Sequence, residues 1–527
     1  MSDLALLGLC MLVVMIGAIF IGFPISFTLL FLALSFGYFG LGDVVFSLAY
    51  FQTIGMMKEE LLAAVPLFIF MGFITEQAGL MERLFTAFRL LLAPIRGALY
   101  AVVILTAAVF AMATGIVGAA VTVLGIMASP IMVKTGYDSR LSAGAITAGG
   151  TLGILIPPSV MLIVMGPVLG VSVADLYAAA FGPGLLLAGF YLAYLLTRAF
   201  INPKLGPPVP KEERIYGVGR ILTEVFLGVV PLLGLIAATL GSILIGLATP
   251  TEASGIGALG AMILAAAYRK LTYAGLKRAV LSTTATASMV LLLAVTSNIF
   301  GAVFARMGSA NWITESMLAM SFSPVLMLVM VLVLIFVLGW PFEWPAIVLV
   351  FLPIFYPVMN ELKPALADSL NISPDMVMIW FGALVAVVLQ TAFLSPPVAM
   401  SAYYLRQVVK DWSLANIYHG MFQFMFLQVI AIALIVSFPG IATWFPERLQ
   451  AQARAVVVED VEDGASLEDY HKEGSYADQL REAIEGTQEE EEKGLEEEPS
   501  LEEKEPEGEE DEKKADDLEK GDASKSK

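Results

Sequence analysis

From its first residues to Trp444 the chain alternates long apolar stretches with short polar ones. Full-length apolar spans fall near residues 4–22, 24–48, 61–81, 142–170 and 175–199. A second set falls near 220–247, 250–268, 280–304, 376–405 and 413–444. As helices rising ~1.5 Å per residue, these stretches reach across a bilayer. Two further apolar stretches, Gly97–Met132 and Ser323–Asn360, have room for one overlong helix or for a hairpin of two short ones. Each carries a small or helix-breaking cluster in its middle: Ala113-Thr-Gly-Ile-Val-Gly118 in the first and Gly339-Trp-Pro-Phe-Glu-Trp-Pro345 in the second.

Two spans are broken at matching places. Pro157-Pro158 interrupts 142–170, and Pro396-Pro397 interrupts 376–405. A proline pair removes two backbone donors and stops a helix. Freed backbone groups are tolerated at membrane depth only where protein buries them or a polar cavity receives them. Broken helices at corresponding positions of two halves therefore point to a transporter's binding site.

Charge sets the orientation. Arg83, Arg89 and Arg96 precede the first hairpin stretch, and Lys134 and Arg140 follow it. The positive-inside rule puts both flanks in the cytoplasm, so this stretch leaves and returns on one side as a re-entrant hairpin. The same rule puts Arg198–Arg220, Arg269–Arg278, Arg406 and Lys410 inside. The second hairpin then opens from the outer side, between Arg306 and Lys363. Ten crossings result, with both termini outside. Each half holds five spans and one hairpin, and the odd number turns the second half upside down. Short matches accompany this order: Tyr177-xxx-Phe181 with Tyr418-xxx-Phe422, and Phe20-Ile-Gly-Phe23 with Leu244-Ile-Gly-Leu247.

The expected fold is an all-α polytopic membrane protein built as an inverted repeat. Its first repeat covers 1–201, with hairpin 97–132 and broken span 142–170. A cytoplasmic loop, 202–219, joins the second repeat, 220–446, with hairpin 323–360 and broken span 376–405. Residues 447–527 form an acidic tail, expected to be disordered because it is poor in apolar residues. The formal charge of −18 comes from that tail: from Ala451 on there are 29 acidic and 10 basic residues, against 19 and 20 before it. With 58% hydrophobic residues and a mean hydropathy of +0.80, the body belongs in a bilayer. One cysteine, Cys10, excludes an internal disulfide. No HExxH, Cys/His cluster or Walker A loop is present, so a metal hydrolase and direct use of ATP are unsupported, and no cofactor or nucleic-acid partner is implied. The N-terminus has no basic region and reads as a first span, not a cleaved signal.

Hairpin tips and helix breaks that meet at mid-membrane offer carbonyls and hydroxyls, which suit a small hard cation, and amide ends, which suit an anionic group. The ion-binding candidates are Thr114, Gly115 and Gly118 at the first tip, and Thr151 and Gly153 at the first break. At the second tip they are Gly339 and Glu343, and at the second break Thr391 and Ser395. Thr147, Gly150 and Gln390 are the substrate-binding candidates. Small residues also serve close helix packing, which is the competing reading for the glycines. Glu343, the only charge inside the second hairpin, could ligate a cation, carry a proton or sit at a wet tip. Glu252 and Asp175 open helices and read as N-terminal caps.

These residues resemble the large membrane subunit of TRAP (tripartite ATP-independent periplasmic) transporters over about residues 1–445. The carrying segments are Ala148-Gly-Gly-Thr-Leu-Gly-Ile-Leu-Ile-Pro-Pro-Ser159 and Ala248-Thr-Pro-Thr-Glu-Ala253. Val65-Pro-Leu-Phe-Ile69, Lys134-Thr-Gly-Tyr-Asp138 and Leu394-Ser-Pro-Pro-Val398 support them. The resemblance implies an elevator-type transporter like those of the ion-transporter superfamily, in a bacterial inner membrane. It implies a small four-span membrane subunit and a periplasmic substrate-binding protein as partners, and import of an organic acid with sodium as the coupling ion. By analogy one sodium site lies between the first tip and first break, and another between the second pair. A stand-alone sodium- or proton-coupled carboxylate carrier of related architecture is the alternative. An ion-translocating subunit would need charged relays in its spans, and an intramembrane enzyme would need a catalytic constellation at one depth; neither is visible.

Overall fold

The computed structural model describes residues 2–208, 218–396 and 399–462. Most of the tail, part of the joint between halves and Pro397–Val398 lie outside them. Among the described residues there is no strand.

The first half runs α1 (Asp3–Ile21), α2 (Ile25–Leu41), α3 (Val44–Lys58), α4 (Ala64–Gln77), α5 (Leu80–Leu92), α6 (Ala98–Thr114), α7 (Val117–Lys134), α8 (Ser139–Thr151), α9 (Val160–Leu169) and α10 (Val173–Ile201). The second half opens with α11 (Val218–Ile236), α12 (Ser242–Leu244), α13 (Pro250–Ala267), α14 (Tyr273–Arg306) and α15 (Ser309–Leu318). It continues with α16 (Pro324–Leu338), α17 (Trp344–Ala346), α18 (Leu352–Leu370), α19 (Pro374–Leu394), α20 (Met400–Val408), α21 (Leu414–Ser437) and α22 (Gly440–Glu462). Wider π turns join α11 to α12 and α17 to α18.

Local chemistry sets the ends. Asp138 Oδ1 accepts from Leu141 N at 2.9 Å to start α8, and Ser323 and Ser413 start α16 and α21 in the same way. Thr249 and Glu252 cap α13 reciprocally, so Glu252 is a cap as expected. Asp175 differs. It lies inside the first turn of α10, buried, and its carboxylate accepts from Gln450 Nε2 at 3.0 Å. It ties α10 to α22, which runs through the expected body–tail boundary at 446/447.

Several apolar runs divide where continuous spans were expected. The run 24–48 splits at Gly42-Asp43 into α2 and α3, and 413–444 splits at Phe438-Pro439 into α21 and α22. The amphipathic helices α5 and α15 had no counterpart in the sequence reading. Nine helical stretches among the described residues are long and apolar enough to cross a membrane. They include the second limbs of both hairpins and omit α2 and α13, so length alone does not separate crossings from hairpin limbs.

Positive-φ residues and helix contacts follow a comparable order in the two halves. Left-handed residues fall at five corresponding junctions: Gly22 and Gly246, Gly42 and Arg269, Gly79 and Gly308, Gly97 and Ser321, and Gly136 and Asn371. Packing between the halves is reciprocal as well. α5 packs on α11 as α15 packs on α1, and α4 on α13 as α14 on α2. α7 packs on α20 as α18 packs on α9, and α8 on α21 as α19 on α10. Exchanging the halves converts one contact of each pair into the other.

The broken helices are the most buried elements. Every residue of α8 from Leu141 and of α19 from Met376 is buried. Close backbone approach makes this possible. A Cβ on Gly420 of α21 would clash with the Arg140 carbonyl oxygen, and one on Gly144 of α8 would lie 2.8 Å from the Gly420 oxygen. Backbone atoms cannot yield as a flexible side chain does. Gly420→Ala is therefore expected to lower the melting temperature of the purified chain by several degrees, whereas Gly189→Ala, which meets nothing within 4 Å, is expected to leave it unchanged. Equal melting temperatures for the two variants would contradict the close-packed α8–α21 seam.

Candidate functional site

At the first break, α8 ends at Thr151 and tightens into a 3-10 turn, Leu152–Ile154. The chain then passes the proline pair and re-enters helix at Val160. Part of the freed backbone is satisfied locally: Ser159 Oγ donates to the Ile154 carbonyl at 2.6 Å. The first hairpin turns at Gly115 with φ +60, a conformation that costs glycine little. A Cβ on Gly115 would sit 3.8 Å from the Pro158 oxygen and the Val160 amide nitrogen, and 3.9 Å from the Gly153 oxygen. The first tip thus lies directly against the first break. Gly115 and Gly153 are brought together; Thr114 ends α6, and its side chain lies outside the described part.

The second break follows the same plan. α19 ends at Leu394, Ser395 is extended, and Ala399 takes a left-handed φ of 35 before α20 begins. The second tip touches this region from α16. A Cβ on Gly339 would lie 3.0 Å from Ala392 Cβ, one turn before the break. Glu343 opens α17, and its carbonyl accepts from Ala346 N and Ile347 N at 3.1 and 3.2 Å. Its carboxylate is within electrostatic range of the Tyr404 phenol on α20. Tyr404 also faces the first tip: a Cβ on Gly118 would lie 3.0 Å from its ring. Tyr404 therefore stands between the two hairpin tips.

The two breaks also approach one another. Thr151 Oγ1 of α8 lies 3.4 Å from Gln390 Oε1 of α19. Thr151 Oγ1 also donates to the Ala148 carbonyl at 2.8 Å, and Thr391 Oγ1 to the Val388 carbonyl at 2.6 Å. Spending the hydroxyl hydrogen on the helix leaves the oxygen lone pairs to accept, which is the role a cation ligand needs. Gln390 Nε2, Ser395 Oγ and Ser401 Oγ are buried and have no partner among the described residues. A buried unpaired polar group costs about 1–3 kcal/mol. Three of them around one break mark a place prepared for a polar guest. Among the described residues no cluster of His, Cys, Asp and Glu could hold a metal ion; hydroxyls, the Gln390 amide and backbone carbonyls carry the polar chemistry.

Two candidates have packing contacts. A Cβ on Gly150 would lie 2.3 Å from Val121 Cγ2, so this glycine lets α8 press against α7. Thr147 donates within α8 to the Ala143 carbonyl at 2.8 Å. The sequence reading missed Ser401 and Tyr404. Ser401 is an isolated hydroxyl in an apolar segment, and Tyr404 acquires its place only when tips from both halves meet it. Its one visible signal was its position seven residues after a proline pair.

Comparison with known proteins agrees with this architecture. The family model described as the DctM component of tripartite ATP-independent periplasmic transporters matches residues 12–441. The sialic acid TRAP transporter large permease protein SiaM of Vibrio cholerae is 28% identical over 437 residues, covering 82% of this chain and 96% of that protein. The C4-dicarboxylate TRAP transporter large permease protein DctM of Rhodobacter capsulatus is 27% identical over 464 residues, covering 85% and 100%. Among solved structures, the YdaH transporter of Alcanivorax borkumensis shares the fold with a TM-score of 0.52 at 16% identity, covering 77% of this chain and 90% of that one. With tip and break paired in each half and the family model spanning nearly the whole body, the chain belongs to the DctM family, the large permease components of tripartite ATP-independent periplasmic transporters.

Proposed function

We propose that this chain moves an organic acid across a bacterial inner membrane together with sodium, as the large subunit beside a small four-span membrane subunit and a periplasmic binding protein. The meeting of each hairpin tip with a helix break carries this reading. The first tip lies beside the Gly153 and Pro158 carbonyls, and each break follows a threonine whose hydroxyl hydrogen is already used. Such a ligand set favours a small hard cation at each break. The unpaired amide of Gln390 lies between the two breaks and is suited to donate to an anionic cargo. Relatives named for sialic acid and for C4-dicarboxylates support an organic acid as that cargo.

The five recurring left-handed junctions and the reciprocal packing support an inverted repeat. The distribution of basic residues supports the two halves running in opposite directions through the membrane. A repeat of this kind lets the hairpins and broken helices move as one body past the other spans, the elevator motion that alternates access. A separate binding protein that captures cargo first would leave this chain to supply passage and coupling.

Uptake by the reconstituted transporter, with both partner subunits present, is expected to depend on an inward sodium gradient; uptake indifferent to sodium would overturn the coupling. Thr151→Val and Thr391→Val keep shape and remove one oxygen each. Either is expected to raise the sodium concentration for half-maximal uptake severalfold; unchanged sodium dependence in both would mean that the hydroxyls only pack. Gln390→Met keeps length and removes the amide donors. Loss of a hydrogen bond to a charged group, about 1.5–3 kcal/mol, is expected to raise the KM for cargo about tenfold or more, with sodium dependence little changed. An unaltered KM would remove Gln390 from the cargo site.

A further inference from the structure

A cavity of about 500 Å³ lies between α3 and α14 on one side and α9 and the return limb of the second hairpin on the other. It sits toward the Arg306 end of α14, and none of the tip or break residues described above lines it. Four polar side chains do: Gln52, Glu59, Ser297 and Asn298. Ser297 is 2% exposed, and its hydroxyl has no partner among the described residues. The neighbouring Thr296 shows the usual alternative, folding its hydroxyl back onto the Leu292 carbonyl at 3.0 Å. Among the described residues, no protein hydrogen bond or ion pair is made by the side chains of Gln52, Glu59 or Asn298. The rest of the wall is apolar, with Val168 and Leu349 on the far side.

The lining defines the chemistry of an occupant. It holds one carboxylate and no lysine, arginine or histidine. An anionic cargo would be repelled by Glu59 with nothing to offset the repulsion, so this is not a second seat for an organic acid. The carboxylate, two amide oxygens and a buried hydroxyl oxygen all accept hydrogen bonds, and a cationic N–H group answers that set. The apolar wall accommodates a short carbon stem. The volume falls within the range of small-molecule sites, roughly 300–1,000 Å³. We propose that this cavity is a binding site for a small organic ammonium group, held by Glu59 and Ser297 with Gln52 and Asn298. The group comes either from a soluble amine or from the headgroup of an ethanolamine lipid. Its occupant touches both walls, and so restrains α9 and the second hairpin against α3 and α14.

The full chain in phosphatidylcholine nanodiscs, titrated with ethanolamine at constant ionic strength, tests the site. The expected result is a saturable rise in melting temperature of a few degrees, as binding to the folded state requires, with no rise for ethylene glycol or glycolate. Glu59→Gln is expected to abolish the rise and Ser297→Ala to weaken it. Glu60→Gln, whose carboxylate does not line the cavity, is expected to retain it. The melting temperature of each variant without ligand separates loss of binding from loss of fold. Nanodiscs containing phosphatidylethanolamine identify the source. If the headgroup reaches the site, the wild-type chain starts from a higher melting temperature and free ethanolamine adds nothing, whereas Glu59→Gln lacks that gain. If only a soluble amine enters, the titration is the same in both lipids. No saturable rise or lipid-dependent gain in the wild-type chain, or a full response in Glu59→Gln, would overturn the proposal.

Discussion

Backbone polarity at membrane depth is the constraint on which the rest of the structure depends. Hydrocarbon offers no hydrogen bonds, so an interrupted helix is stable only where protein or a polar guest receives its freed groups. This chain interrupts two helices at proline pairs and sets a hairpin tip against each interruption. Gly115 reaches the carbonyls of Gly153 and Pro158, and Gly339 reaches the turn that ends at Ser395. Burial of α8 and α19 on every side follows from the same need. Glycines such as Gly144 and Gly420 allow the surrounding helices to approach closely enough to exclude lipid from the breaks.

What remains unsatisfied after this arrangement is informative. Among the described residues Gln390 Nε2 and the hydroxyls of Ser395 and Ser401 stay buried and unpaired, while the hydroxyl hydrogens of Thr151 and Thr391 are already engaged. These groups lie in the region of the helix breaks, at the ends of α8 and α19 and the start of α20. Tyr404, reached by the first tip and within range of Glu343 at the second, links that region to both hairpins.

Much of this was legible in the sequence because it rests on residues with strong local effects. Proline pairs stop helices, uncharged runs cross bilayers, and the Ala113–Gly118 cluster turns a hairpin. Correspondence between the halves was faint in sequence for a physical reason. At Arg269, Ser321 and Asn371 the second half has a positive φ where the first half has glycine, so a comparable turn does not bring a comparable residue. The helices α5 and α15 were missed because short amphipathic segments beside long apolar runs read as loops. Whether a glycine binds or packs was also unreadable: Gly115 and Gly150 look alike in sequence, yet one faces a helix break and the other faces Val121. Asp175 looked like a cap and instead receives Gln450 from a helix far along the chain.

The proposed function requires two oppositely oriented halves, each hairpin entering the membrane from its own side. Accessibility of the hairpin bases tests it most directly. Lys134 at the end of α7 and Asp368 near the end of α18 are both exposed, and each can be replaced singly by cysteine in a Cys10→Ser background. With a membrane-impermeant maleimide applied to intact spheroplasts, Asp368→Cys is expected to react and Lys134→Cys to react only after permeabilisation. Labelling of both positions from the same side would contradict the inverted arrangement.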